Sequence, residues 1–126
     1  RDWRPPTLRR LVDDDEGPVM VSVDYRVDPA KRDAFLAALA QLGLERRREG
    51  GFAWGIFEDG IEEGRFVESF LIDSWLEFRH LRERVTNCDL MLEEQVHALL
   101  TAEPRIDFLI APEPRTRRWS LRHGRA

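Results

Sequence analysis

Cysteine is almost absent from this chain, since Cys88 is the only one among 126 residues. A single cysteine excludes a disulfide within the chain and a metal site built from several thiolates, and it fits a reducing compartment. No apolar run approaches the roughly 20 residues that span a bilayer, and no signal peptide is visible. The sequence also has no phosphate-binding glycine loop and no G-x-S-x-G motif. Because residue 1 is Arg rather than Met, we expect a piece of a longer protein or a processed form.

Positive charge is scarcer than negative charge in the middle of the chain. Residues 1–12 carry four Arg and one Asp, and residues 113–126 carry five Arg and one Glu, while the whole chain has a net charge of -4. An acidic body therefore lies between two basic ends. Nucleic acid usually selects a basic face on the folded body, so we expect no nucleic-acid partner. Basic ends could instead lie against an anionic membrane surface, or serve as solubilising tails.

The spacing of apolar residues divides the chain into structural elements. VMVSVDYRV alternates with the period of a half-buried strand. Asp28 and Pro29 open a helix that runs through AFLAALAQLGLERRR, where the closing arginines complement the helix dipole. FAWGIFED and RFVESFLID, joined by a glycine-bounded loop, predict a hairpin. Ser74 and Glu77 form a capping pattern that begins a helix, and Thr86 begins a second helical piece. RIDFLIA is the last predicted strand.

The order β-α-β-β-α-β predicts an α+β fold, the ferredoxin-like sandwich with four antiparallel strands and helices on one face. We assign residues 1–17 to a linker or juxtamembrane segment, 18–112 to this domain and 113–126 to a basic tail. The open face of the sheet is expected to hold some of the aromatic side chains of the strands, namely Tyr25, Trp54, Phe57, Phe66 and Phe70. A second copy of the same sheet is the simplest cover, which predicts a homodimer.

Four stretches carry a family resemblance: PVMVSVDYRVDPAKRDAFLAAL, FAWGIFED, GRFVESFLIDSWLEF and RERVTNCD. Over about residues 17–111 they resemble the antibiotic biosynthesis monooxygenase-like domain, a dimeric α/β barrel, in the version fused to the C-terminus of enterobactin-exporter-like permeases of the major facilitator superfamily. The opening DWRPPTL is similar to the segment that follows the last membrane helix in those permeases. The resemblance implies a soluble C-terminal domain on the cytoplasmic face of the plasma membrane, with basic residues 1–12 on the cytoplasmic side.

Two functions follow from the resemblance. The first is an accessory module of an exporter, without established catalysis, which dimerises and senses or holds a transported molecule. The second is a cofactor-independent monooxygenase, a soluble cytoplasmic enzyme that oxidises an aromatic phenol or quinol with O2. Fold alone does not decide between them.

The segment SWLEFRHLRERVTNCD holds the candidate catalytic residues Trp75, His80 and Asn87. In the stand-alone monooxygenases an indole and an amide position a phenolic substrate, and Trp75 and Asn87 are the local analogues. Helical spacing equally predicts that Trp75 and Phe78 face the core, that Asn87 marks a helix junction and that His80 faces water. The resembling permeases usually carry histidines at the positions of Phe78 and Arg82, which weakens a catalytic role for His80. Cys88 is predicted to be a small buried apolar residue.

A ligand pocket is better drawn from the strands. Its candidate lining is aromatic, and it would suit a flat aromatic small molecule between sheet and helices or inside the barrel: Tyr25, Trp54, Phe66, Phe70 and Trp75. Aromatic filling of the core is the alternative. We predict no cofactor, since a haem site would rest on His80 alone. We predict no metal, because the carboxylate pairs lack a ligand spacing.

Overall fold

A computed structural model describes residues 7–83 and 87–112. Four strands appear in the predicted order: β1 at Val19–Arg26, β2 at Phe52–Glu58, β3 at Arg65–Ile72 and β4 at Arg105–Ile110. Three helices join them: α1 at Arg32–Arg48, α2 at Trp75–Glu83 and α3 at Asn87–His97. A single 3-10 turn, Pro29–Lys31, precedes α1.

The four strands form one antiparallel sheet in the order β2-β3-β1-β4. This order places the first and third strands at the centre, which is the arrangement of a ferredoxin-like fold. The predicted fold class is therefore confirmed. The first and last strands are neighbours although the whole domain separates them, with Val21 opposite Phe108.

Local capping signals explain where the helices begin. The Asp28 carboxylate accepts a hydrogen bond from the Ala30 amide at 3.0 Å, and Pro29 occupies the first turn, as predicted. The Ser74 hydroxyl accepts from the Glu77 amide at 3.1 Å, which confirms the cap of α2. The second predicted cap, Thr86, lies outside the described residues, but α2 ends and α3 begins on either side of it.

Alternation in the two central strands gives the sheet one buried face, which the helices cover. Tyr25, Phe66 and Phe70 lie on this covered face with 2% of their surface exposed. The expectation that these three residues occupy the open face is wrong, because they lie on the same side of the sheet as the buried Val19, Val21 and Val23 of β1, which faces the helices. The core cluster joins the sheet to all three helices, and its members from the helices are Phe35, Leu39, Leu42, Trp75, Phe78, Leu81 and Val96.

Trp54 also lies toward the helices, because it is on the same side of β2 as Ile56, which pairs with Glu68 on the covered face. An irregularity precedes it, where the pairing of β2 with β3 shifts and Ala53 adopts a left-handed backbone with φ of 50°. The Trp54 indole packs against Gly43 of α1, where a Cβ atom would come within 2.6 Å of the ring. Glycine inside a helix is unfavourable by itself, so this contact explains its presence.

The other side of the sheet carries fewer apolar groups than predicted. Met20, Phe57 and Leu109 are its exposed large apolar side chains, and together with Val67 and Leu71 we call them the open face. Of the aromatic residues expected there, Phe57 alone is present, with 63% of its surface exposed. One end of the open face is charged, because Arg65 hydrogen bonds to Asp24 at 2.8 Å and to Asp59 at 3.1 Å.

Candidate functional site

A buried carboxylate lies between the sheet and α1. Glu68 of β3 is completely buried, and it lies on the covered face together with Phe66, Phe70 and Ile72. Burying a carboxylate is costly unless hydrogen bonds and an opposite charge compensate it. A residue of this kind within an apolar strand face therefore marks a site or a structural anchor.

Three side chains donate hydrogen bonds to Glu68. Arg46 Nε donates to one carboxylate oxygen at 2.5 Å and Arg46 Nη2 to the other at 3.1 Å. The Trp54 indole Nε1 donates at 2.8 Å, and the Tyr25 hydroxyl donates at 2.8 Å. Both oxygens thus accept two hydrogen bonds each. We call these four residues the Glu68 network.

The network fixes the ionisation of Tyr25 and Arg46. Burial and the Glu68 charge raise the pKa of the Tyr25 phenol well above its usual range, so the hydroxyl keeps its proton. Burial alone would lower the pKa of Arg46, but the Glu68 carboxylate raises it above the usual range. The Arg46 guanidinium also lies over the Phe70 ring, 4.9 Å from its centre. Tyr25 and Arg46 therefore both stay protonated beside a bound molecule.

Beside the network is a cavity of about 320 Å³, partly open to solvent, between the covered face and the three helices. Tyr25, Phe70 and Arg46 contribute to its lining next to the network. Its other walls are mainly apolar, and they come from β1, β3, β4, the residue before β4 and all three helices: Val21, Val23, Leu42, Ile72, Phe78, Leu81, Val96, Pro104, Ile106 and Phe108.

Charged and polar side chains line the rest of the cavity. Arg82 of α2, Glu93 and His97 of α3, and Glu103 before β4 are all part of its lining. Glu103 and Ile106 are exposed, so they mark the side that opens to solvent. Two aromatic contacts shape the wall: Phe78 lies 4.9 Å from Phe108, and Trp75 stacks behind Phe78 at 5.1 Å. The geometry can hold a small molecule with apolar faces.

Comparison with protein families decides where this domain belongs. A major facilitator superfamily model, described as a transmembrane secretion effector, matches residues 1–116. The chain belongs to the transmembrane secretion effector family. No curated protein matches it. Among the described residues, no helix combines the length and the apolar character needed to cross a membrane.

Solved structures show a second relationship, in the fold. The chain is similar to a protein from Caulobacter crescentus CB15 assigned as an antibiotic biosynthesis monooxygenase, with a TM-score of 0.69, 20% identity, and coverage of 79% of this chain and 94% of that one. A protein of the same assignment from Nitrosomonas europaea has a TM-score of 0.67 and 18% identity, at the same coverage. SnoaB, a cofactor-independent oxygenase from Streptomyces nogalater, gives 0.63 and 17%, covering 79% of this chain and 96% of that one. At these identities the likeness establishes the fold.

The fold of this chain does not bring the three candidate catalytic residues together at the cavity. Trp75 is buried in the core behind Phe78 and is absent from the cavity lining. His80 is exposed on α2, and Asn87 is exposed at the first position of α3. Cys88 is exposed as well, so the prediction that it is buried is wrong. It occupies the first turn of α3, next to solvent.

Of the five pocket candidates, Tyr25 and Phe70 line the cavity. Trp54 lies behind them as a donor to Glu68, and Phe66 packs on Phe35 with ring centres 5.1 Å apart. Sequence reasoning missed Glu68 and Arg46. The signal for Glu68 was its position in the apolar alternation of β3. The signal for Arg46 was its place four residues after Leu42 on the buried side of α1, although its position near the end of the helix predicts only that it complements the helix dipole.

Acidic residues gather where the end of α1 meets the start of α3. Carboxylate oxygens of Glu45, Glu49 and Asp89 lie within 4.8 Å of one another. Burial, a hydrogen bond to Asp89 and the charges of Asp89 and Glu45 raise the pKa of Glu49 to about 7, while Arg48 opposes the shift. Clusters of this kind are common without a metal, and nothing else in the described residues indicates one.

The proton on Glu49 gives the first testable prediction. An unfolded Glu loses its proton near its ordinary pKa of 4.5, whereas the folded chain keeps it up to about pH 7. The folded state therefore binds more protons in this window, and the free energy of unfolding should fall as the pH rises through it. Glu49→Gln should remove that fall, which urea unfolding at about pH 5 and about pH 8 would measure.

The matched control is Glu94→Gln, on the exposed surface of α3. It should leave the pH dependence of the unmodified chain unchanged. Equal pH dependence in Glu49→Gln and the unmodified chain would contradict the assignment of the proton to Glu49.

Proposed function

We propose that this domain is a ligand-sensing accessory module of a transmembrane secretion effector, and that it binds a flat, largely apolar aromatic molecule in the cavity. The observation that carries the proposal is the cavity itself. Its volume of about 320 Å³ lies at the lower end of the range of about 300–1,000 Å³ typical of small-molecule pockets. Phe70, Phe78 and Phe108 offer aromatic faces in its wall.

The Glu68 network beside the cavity favours binding over chemistry. Both oxygens of Glu68 are occupied by donors from its own network, and the Tyr25 hydroxyl donates a hydrogen bond to Glu68. A general base must be within reach of the proton it removes and have a lone pair to receive it. The Tyr25 oxygen can still accept a hydrogen bond, so it suits a ligand that carries a hydroxyl group.

The alternative is a cofactor-independent oxygenase acting on a phenol or quinol. Its support is the fold shared with SnoaB. The residues that the resemblance nominates for it, Trp75 and Asn87, are not in the cavity lining, and His80, on which a haem site would rest, is exposed on α2. We therefore prefer the binding module to the oxygenase, and we propose no cofactor for the site.

Family membership supports a position next to a membrane domain. The matched region begins at residue 1 and includes the basic segment 1–12. We propose that this segment follows the membrane domain on its cytoplasmic side, where Lys and Arg are enriched. The basic ends would then lie near anionic lipid headgroups, each charge contributing about 1 kcal/mol close to the surface.

Binding can be tested with 2-naphthol, a flat aromatic hydroxyl compound, by isothermal titration calorimetry. We expect the full chain to bind it and Ile106→Trp to weaken binding by about tenfold or more, equivalent to about 1.4 kcal/mol. The reason is steric, because Ile106 lines the open side of the cavity and is exposed enough to accept a larger side chain.

Leu44→Trp is the matched control, since Leu44 is about as exposed as Ile106, lies on α1 and does not line the cavity. It should bind as the unmodified chain does. An oxygen electrode should show no oxygen consumption with naphthol bound. Oxygen uptake would favour the oxygenase, and the absence of binding would contradict the module.

We also propose that two copies pair through the open face. Met20, Phe57 and Leu109 are exposed there next to Val67 and Leu71. Apolar side chains gathered on one sheet face are a feature of interfaces, and a two-fold pair would bury the same patch from both copies.

Phe57→Asp should convert a dimer into a monomer in analytical ultracentrifugation, because an unpaired carboxylate buried between the two sheets would be costly. Ile61→Asp is the control, since Ile61 is 99% exposed in the β2–β3 loop and outside the open face. An unmodified chain that sediments as a monomer at all concentrations would overturn this pairing.

A further inference from the structure

Residues 8–16, which we call the strap, bind the beginning of α2. The Trp75 amide donates to the Glu16 carbonyl at 2.8 Å, and the Leu76 amide donates to the Asp14 carbonyl at 3.0 Å. The first amides of a helix have no partner within the helix. The strap therefore supplies two backbone acceptors that α2 would otherwise lack.

Side chains strengthen this attachment. Arg79 of α2 forms an ion pair with the Asp14 carboxylate. Leu8 and Val12 pack against the hydrophobic core as half-buried side chains. Leu11, between them, is 94% exposed and makes no such contact. The strap is thus held by backbone, charge and apolar contacts together.

The same helix forms part of the cavity wall. Phe78, Leu81 and Arg82 line the cavity. The Trp75 ring, whose amide is bound by the strap, stacks on the Phe78 ring at 5.1 Å with an interplanar angle of 29°. A continuous set of contacts therefore runs from the Glu16 carbonyl through Trp75 to the cavity.

The length of α2 makes it dependent on both contacts. Its described part, Trp75–Glu83, has nine residues, and isolated helices shorter than about 12–15 residues are marginal in water. Its order must come from packing on the core on one side and from the strap at its beginning. A molecule that packs against Phe78 and Leu81 would add to the first set of contacts.

We propose that α2 couples the cavity to the strap, so that a ligand in the cavity tightens the attachment of residues 8–16 to the domain. This inference rests on the proposed function, because it requires a ligand in the cavity. Coupling between two sites is reciprocal, so release of the strap must weaken ligand binding by the same factor. In the proposed arrangement the strap leads toward the membrane domain and is the output of the sensor.

Two measurements on the full chain test the coupling, again with 2-naphthol as the probe. In the first, hydrogen exchange of the Trp75 and Leu76 amides reports strap attachment directly, because the strap carbonyls are their acceptors. Naphthol should slow exchange at both amides. In the second, calorimetry should show that the double variant Leu8→Asp/Val12→Asp, which detaches the strap, binds naphthol at least about fivefold more weakly than the unmodified chain.

Leu11→Asp is the control, because it adds a carboxylate to the strap at an exposed position without removing a core contact, and it should bind naphthol normally. Arg79→Gln removes the ion pair alone and should shift exchange and binding in the same direction by a smaller factor. It keeps the test decisive if the double variant does not fold.

The outcomes separate the two proposals. In one outcome, the Trp75 and Leu76 amides exchange faster in both variants than in the unmodified chain, but all three proteins bind naphthol equally well. This outcome overturns the coupling and leaves the binding function standing. A chain that binds no naphthol at all overturns the binding function, and the coupling with it.

Discussion

The carboxylate of Glu68 is completely buried, and α1 lies over the sheet where Arg46 can reach down to neutralise that charge. Tyr25 from β1 and Trp54 from β2 donate to the same carboxylate, so three strands and one helix meet at one group. Removing one partner of a buried ion pair typically costs about 3–5 kcal/mol, because the other charge stays buried without compensation. The relative position of the two layers therefore depends on this network.

The cavity lies beside that network. Arg46 is bound to Glu68 and stacked on Phe70, and both Arg46 and Phe70 line the cavity at the end of α1. The space beside it is closed by α2 and α3, of which α2 is short and held at its beginning by the strap. Rigid groups thus form one side of the cavity, and a helix that depends on its neighbours forms the other. This asymmetry suits a site whose occupancy is to be transmitted along the chain.

Periodicity in the sequence was sufficient for the fold, because Val19, Val21 and Val23 alternate and Phe35, Leu39 and Leu42 repeat at helical spacing. It was not sufficient for the site. Arg46, Arg47 and Arg48 are adjacent in sequence, yet successive helical residues point about 100° apart, so Arg46 reaches Glu68 while Arg47 lies over the Trp54 ring. Alternation places Trp54 on the opposite side of β2 from Phe57 and toward the helices, but it does not indicate that the indole donates to a buried carboxylate. The polar segment around Trp75 attracted attention because of its composition, whereas the site residues are spread over separate elements.

The most direct measurement is a double-mutant cycle of unfolding free energies with Arg46→Met and Glu68→Gln. If the pair fixes the two layers, each single change should be strongly destabilising, and the double variant should be little worse than either. The coupling energy should then reach about 2 kcal/mol or more. Single effects that add to within about 0.5 kcal/mol would show that the two residues act independently and would contradict the account.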